Sequence, residues 1–249
     1  MKRRVLLFAI LLFLTVLGWM GYEYFLPDPL LPKPIRFVTP SEAGLDWQEC
    51  QLPGTSAWEE PVDCLDTSSP VLSETERSAF GQYVANDVVQ LTLGRDVYKA
   101  HAKDMVVLTL YDLYKNESRV KSLIGLGDTL WLHMFLQNIG GHVAWQIANE
   151  NPATIIYDGK DVRRLYGLDK AHAPYSLAGK LIFVAQKGGK YFIMYDGQKI
   201  GPDFDQIIIA YCCETALYSV RFGQGRYQFR GMRGDKNYVV EISALNTLR

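Results

Sequence analysis

Residues 179–207, GKLIFVAQKGGKYFIMYDGQKIGPDFDQI, read as strand, Gly turn, strand, Asp-Gly turn and short strand. Short apolar runs bounded by Gly- and Asp-containing pairs are the pattern of antiparallel hairpins. The outline recurs on both sides. Upstream, HVAWQIANENPATIIYDGKDV (142–162) places Tyr157-Asp158-Gly159-Lys160 thirty-eight residues before Tyr195-Asp196-Gly197-Gln198. Downstream, TALYSVRFGQGRYQFRGMRGDK (215–236) matches at an offset of thirty-six, with Leu217, Val220, Gly225, Arg226 and Tyr227 falling on Leu181, Val184, Gly189, Lys190 and Tyr191. A period near forty residues marks a repeated all-β unit. Asp158-Gly159 and Asp196-Gly197 are the expected hairpin turns, because Asp-Gly supplies the two positive-φ residues of a type I′ turn. Gly140-Gly141, Gly223-Gln224-Gly225 and Gly234-Asp235 continue the punctuation, so a β-repeat domain is expected over 128–249.

Working outward, residues 73–127 are expected to form a short helix and strands that pack on the repeat domain. Ser73-Glu74-Thr75-Glu76 is a capping box. Ala79, Phe80, Tyr83 and Val84 follow at helical spacing, which predicts a helix over 74–86. VVQLTLG, VYKAHA and MVVLTLYDLY then predict three strands, with tight turns at Arg95-Asp96 and Lys103-Asp104. Asn116-Glu117-Ser118 fits a glycosylation acceptor and marks an exposed turn.

Residues 26–72 read as a linker. Pro27, Pro29, Pro32, Pro34 and Pro40 favour an extended spacer. Cys50 and Cys64 follow, and in an exported chain such a pair most simply forms a disulfide, whose loop of about 15 residues contributes roughly 3 kcal/mol. Residues 1–25 read as a transmembrane anchor or an uncleaved signal. Lys2, Arg3 and Arg4 precede an uncharged apolar run, and residues 5–25 would span about 31 Å as a helix, the thickness of a bilayer core. The basic flank places the N-terminus in the cytoplasm and the bulk of the chain on the extracytoplasmic side, periplasmic or cell-surface.

The elements KGGKYFIMYDGQKIGPDFDQI and IIYDGKDV resemble the tandem repeats of bacterial WD40-like β-propeller proteins. In those repeats a hydrophobic-Tyr-Asp-Gly-Lys strand end closes a hairpin, and a Tyr/Phe-Asp-x-Ile element leads into the next blade. Phe204-Asp205-Gln206-Ile207 supplies the second element here, with Leu168-Asp169-Lys170-Ala171 as its upstream counterpart. The resemblance covers roughly 142–242 and implies a propeller-like scaffold for binding; it carries over no catalytic residue. A closed propeller typically takes four or more blades, and three units are visible. Residues 88–135 would have to supply a fourth; otherwise the fold is an open antiparallel β-repeat array, a sandwich, or a ring completed by a second copy.

The chemistry-bearing residues point away from catalysis. A net charge of −1 gives no bulk attraction to nucleic acid, and an apolar content of 48% is enough for a core. Asp203 and Asp205, with Asp196 and Glu214, read as turn residues before they read as an ion site. His101, His133, His142 and His172 stand at no metal-ligand spacing, and no nucleophile motif or phosphate loop is present. No cofactor is expected. Cys212-Cys213 sit on opposite sides of an expected strand. Arg221, Arg226, Arg230 and Arg233 form the basic cluster of the C-terminal repeat: either an anion-binding face or a charged strand face that blunts an edge. The expected function is a membrane-anchored extracytoplasmic binding module that engages an envelope protein or polymer, with homo-oligomerisation open. The alternative is an exported, propeller-like glycan-active hydrolase or lyase drawing on Asp203, Asp205 and Glu214.

Overall fold

The computed structural model describes residues 31–52, 72–85, 88–105, 108–126, 134–148, 153–209 and 220–245. The expected membrane span, Cys64, His133, Cys212, Cys213 and Glu214 lie outside them. Among the described residues no helix is long and apolar enough to cross a membrane. The chain divides into two units, Met1–Lys33 and Pro34–Arg249, and every strand named below belongs to the second.

Two short strands come first, β1 (Phe37–Val38) and β2 (Leu45–Gln51), then helix α1 (Glu74–Ser78). A first sheet runs as a meander through β3 (Gln82–Ala85), β4 (Val88–Leu93), β5 (Asp96–Met105), β6 (Leu108–Lys115) and β7 (Ser118–Leu126). The second contains β8 (Met134–Ile139), β9 (His142–Ala148), β10 (Ala153–Tyr157) and β11 (Lys160–Asp161), and helix α2 (Val162–Tyr166) follows it. β12 (Lys170–Leu177), β13 (Lys180–Lys187), β14 (Lys190–Tyr195) and β15 (Gln198–Phe204) make the third, to whose edge β1 adds in parallel. The fourth has the order β16-β18-β19-β2, from β16 (Gln206–Ile207), β18 (Arg226–Arg233), β19 (Lys236–Ala244) and the early strand β2, with β17 (Arg221–Gly223) also pairing β18. The described residues are therefore mostly β, in several antiparallel sheets, none of them closed on itself among those residues.

Burial explains why the central stretch is so apolar. In β13 the alternate residues Ile182 and Val184 belong to a core shared with the fourth sheet, while Leu181, Phe183 and Ala185 belong to one shared with the second. β14 divides likewise, with Ile193 and Tyr195 on one side and Phe192 and Met194 on the other. A sheet covered on both faces needs continuous apolar runs, which is what LIFVA and YFIMY are. Among the described residues one face of the fourth sheet is covered, and β18 alternates accordingly: Tyr227 and Phe229 are buried, Arg226, Gln228 and Arg230 half-buried. A third core, centred on Trp145, joins the first and second sheets. Among the described residues the four sheets thus share three buried cores in chain order.

Several expectations are corrected. The helix over 74–86 is a single turn, Glu74–Ser78. Beyond it the backbone pairs with the second sheet, through Gly81 N–H to the Leu136 carbonyl (2.8 Å) and Asn138 N–H to the Ala79 carbonyl (2.8 Å). These long-range bonds outweigh a weak helical propensity. Lys103-Asp104 is no turn but lies inside β5, paired with Leu110 and Thr109. Part of the expected linker is structural: β2 pairs along its full length with β19, and Leu45 is buried in the core of the third and fourth sheets while Trp47 packs edge-on against Phe229. Asn116, by contrast, does sit in the expected exposed turn, its amide accepting from Val97 N–H (2.8 Å) and donating to Asp96 (2.7 Å).

Candidate functional site

The two Tyr-Asp-Gly turns are built alike down to their side chains. Asp158 and Gly159 have φ of 50° and 75°, and Asp196 and Gly197 have 49° and 78°. Asp158 N–H donates to the Val143 carbonyl (3.0 Å), and Asp196 N–H to the Leu181 carbonyl (2.9 Å). In each unit the basic residue that opens the preceding strand pairs with the turn carboxylate and lies against the tyrosine before it. His142 Nδ1 is 3.5 Å from Asp158 and its ring is 5.7 Å from that of Tyr157. Lys180 Nζ is 2.8 Å from Asp196 and 5.7 Å from the Tyr195 ring centre. The matched residues stand thirty-eight positions apart, the period of the sequence repeat.

Both turns border one cleft. It holds about 210 Å³ and lies where the second sheet, α2 and the third sheet meet. Leu181, Phe183 and Val162 supply apolar lining, while His142, Asp158, Lys160 and Asp196 add polar groups. α2 is set there by its caps. Buried Asp161 accepts from Arg163 N–H (2.9 Å) and Thr154 Oγ1 (2.7 Å), and Gly167 ends the helix in the left-handed conformation. This brings Tyr166 against Gly197, where a Cβ would collide with its hydroxyl. Burial, then the Asp158 and Asp196 charges, raises the Tyr157 phenol; burial and Asp196 raise that of Tyr166. Both stay protonated at neutral pH and able to donate.

A second convergence surrounds Glu76. Its carboxylate accepts from Ser73 N–H and Oγ (2.8 Å each), Gln224 N–H (2.8 Å), Gly225 N–H (3.1 Å) and the Tyr175 hydroxyl. Burial alone would raise its pKa, but these donors outweigh it and hold the group at about 2. Beside it Phe80, Phe222, Tyr175 and Tyr227 stack with neighbouring centroids 4.9–6.3 Å apart. Residues 73–81 therefore touch the leading strands of the second and third sheets and the β17–β18 turn of the fourth. With every acceptor position engaged, Glu76 serves as a tie.

The remaining candidates fall elsewhere. Asp203 pairs with Lys199 (2.6 Å), and Asp205 pairs with Lys190 and accepts from Gly234 N–H (2.7 Å). Lys190 holds the Asp205 carboxyl below its ordinary range. Asp203 is therefore not the expected turn residue but lies within β15, bound to Lys199 of the same strand, while Asp205 fastens the turn after it; both lie outside the cleft lining. Arg226 faces Glu241 (3.5 Å), and Arg233 pairs with Glu49 while stacking 3.9 Å over Tyr238. Arg221 and Arg230 are half-buried on the same sheet. Desolvation and Lys170 push His172 down to about 4, so it is neutral at physiological pH. Cys50 lies on β2 and its expected partner is outside the described residues. Among the described residues no three His, Cys, Asp or Glu side chains gather as a metal site. Reasoning from sequence missed Tyr166, Lys180 and the pairing of His142; the thirty-eight-residue offset, extended from the turns to the strand starts, would have found the latter two. No family model, curated protein or solved structure matches the chain.

Proposed function

We propose that this chain is a membrane-anchored extracytoplasmic binding module with a propeller-like arrangement of four sheets. The observation that carries the proposal is the pair of repeat turns bordering one cleft. Two units of one design bring their turn carboxylates, Asp158 and Asp196, to one cleft, where His142 and Tyr157 of the first unit stand beside them, which suits recognition. The propeller-like arrangement is supported by the meander order of the sheets, their successive face-to-face cores, the convergence of residues 73–81 on the other three, and β2, which ties an early strand to the last sheet. The anchor is supported by the uncharged run at residues 5–25. The hydrolase alternative has less support, since Asp203 and Asp205 are each tied to a lysine and neither lines the cleft.

The test is photo-cross-linking in native membranes. A photoreactive amino acid at Lys160, on the cleft rim, should give an adduct that Gly197→Ala abolishes. The same probe at exposed Thr92, on the first sheet, should give none. Absence of an adduct from position 160, or equal adducts from both positions, would refute the proposal.

A further inference from the structure

The chemistry of the cleft narrows its ligand, given that it is a binding site as proposed above. We infer that it takes a single uncharged pyranose ring. Four features converge on that class. The first is size: about 210 Å³ is below the roughly 300 Å³ at which drug-sized pockets begin, so one substituted ring fits and a longer ligand would extend outside. The second is charge balance. The cleft carries the carboxylates Asp158 and Asp196 with Lys160, and Lys180, just beyond the lining, pairs with Asp196 at 2.8 Å, so the two acidic charges are balanced by two basic ones. A rim without net charge gives no electrostatic preference for a cationic or an anionic ligand.

The third feature is the alternation of donors and acceptors around the mouth. Asp158 and Asp196 accept, Lys160 and the Tyr166 hydroxyl donate, and His142 can do either. Vicinal hydroxyls, each able to donate and accept at once, complement such an array, and hydrogen bonds to ionised groups are the stronger kind. The exposures of the Asp158 and Asp196 side chains, 64% and 56%, leave their remaining lone pairs open to a ligand. The fourth is the half-exposed apolar surface of Tyr157, Leu165 and Tyr166, backed by buried Phe183, Leu181 and Val162, against which the C–H face of a pyranose can lie while its hydroxyls reach the rim. A small apolar pocket with a few placed polar groups is the ordinary form of a small-molecule site.

The test uses the full chain in lipid nanodiscs free of sugar detergents, with fluorine-labelled tyrosine as a spectroscopic probe. Methyl glycosides of neutral hexoses should shift the Tyr157 and Tyr166 resonances saturably. Arginine amide and methyl glucuronide at the same concentrations should not. Asp196→Asn and Tyr166→Phe, which keep the side-chain shapes, should each weaken binding by about tenfold, the equivalent of one lost hydrogen bond of about 1.4 kcal/mol. A tetrasaccharide binding well above its methyl glycoside would identify the ring as a polymer end, and equal affinities would identify a free sugar. Shifts from arginine amide alone would overturn the sugar assignment, and shifts from the glucuronide alone would overturn the uncharged ring, each while leaving a binding cleft. No shift from any small ligand, together with a position-160 adduct to a protein, would also overturn it. The same silence without an adduct would overturn the binding proposal as well.

Discussion

Glu76→Gln is the most informative single change, because it keeps the shape of the side chain and removes its charge. The carboxylate accepts five hydrogen bonds, from Ser73 N–H and Oγ, Gln224 N–H, Gly225 N–H and the Tyr175 hydroxyl. A glutamine whose oxygen takes the Oε2 position keeps the three donors there and turns its NH₂ towards Gly225 and Tyr175. The Tyr175 hydroxyl can rotate to accept, but Gly225 N–H is left facing a donor. Hydrogen bonds to charged groups contribute roughly 1.5–3 kcal/mol each. Glu76 is only half-buried, so solvent screening takes the estimate to the lower part of the resulting range, about 2–3 kcal/mol. At about 2–4 °C per kcal/mol for a folded unit of this size, Tm should fall by roughly 5–10 °C at pH 7. The group is held at about 2 against an ordinary 4.5. Its contribution is therefore full above pH 4.5 and is lost as pH falls towards 2. Fluorescence melts of the full chain in nanodiscs should show the gap between wild type and variant at pH 7 and its closure near pH 2.5. Equal Tm at pH 7, or an unchanged gap at pH 2.5, would refute the role assigned to Glu76.

Three further outcomes are expected. Gly197→Ala should cost about 1–2 kcal/mol for a left-handed non-glycine residue, shift Tyr166, and abolish cleft binding while the melt stays cooperative; a variant that binds normally would contradict the site. Arg233→Ala should lower the urea midpoint by the equivalent of about 1–2 kcal/mol, more than an exposed ion pair alone, because the stack on Tyr238 goes with the Glu49 pair. Lysine at 233 should restore only part, since it has no planar group to stack. Non-reducing peptide mapping of the full chain should recover Cys50 joined to Cys64, and recovery of both as free thiols would contradict the expected disulfide.

What was legible in the sequence follows from where each determinant lies. Apolar runs such as LIFVA and turns such as Asp196-Gly197 are local, so the all-β class and the repeat could be read directly. The capping box was equally local, and Ser73 and Glu76 do make both of its bonds. The helix behind it was misjudged because Phe80 and Gly81 pair with β8, more than fifty residues away. The wider role of Glu76 depends on partners 99 to 149 residues distant, which no local pattern announces. β2 was hidden in a linker because its pairing partner is the last strand of the fold. At the cleft the turns themselves were visible. Their approach to a common space depends on how two sheets pack and on the short helix α2 between them, which is tertiary information.

Hydrogen exchange across the whole chain, measured in native membranes with and without the soluble envelope fraction, tests the central claim most directly, because it samples every surface at once. Recognition through the cleft predicts protection gained together at residues 157–160 and 195–198. Protection confined to the arginine-bearing strands at 221–233, or no change at either turn, would contradict it.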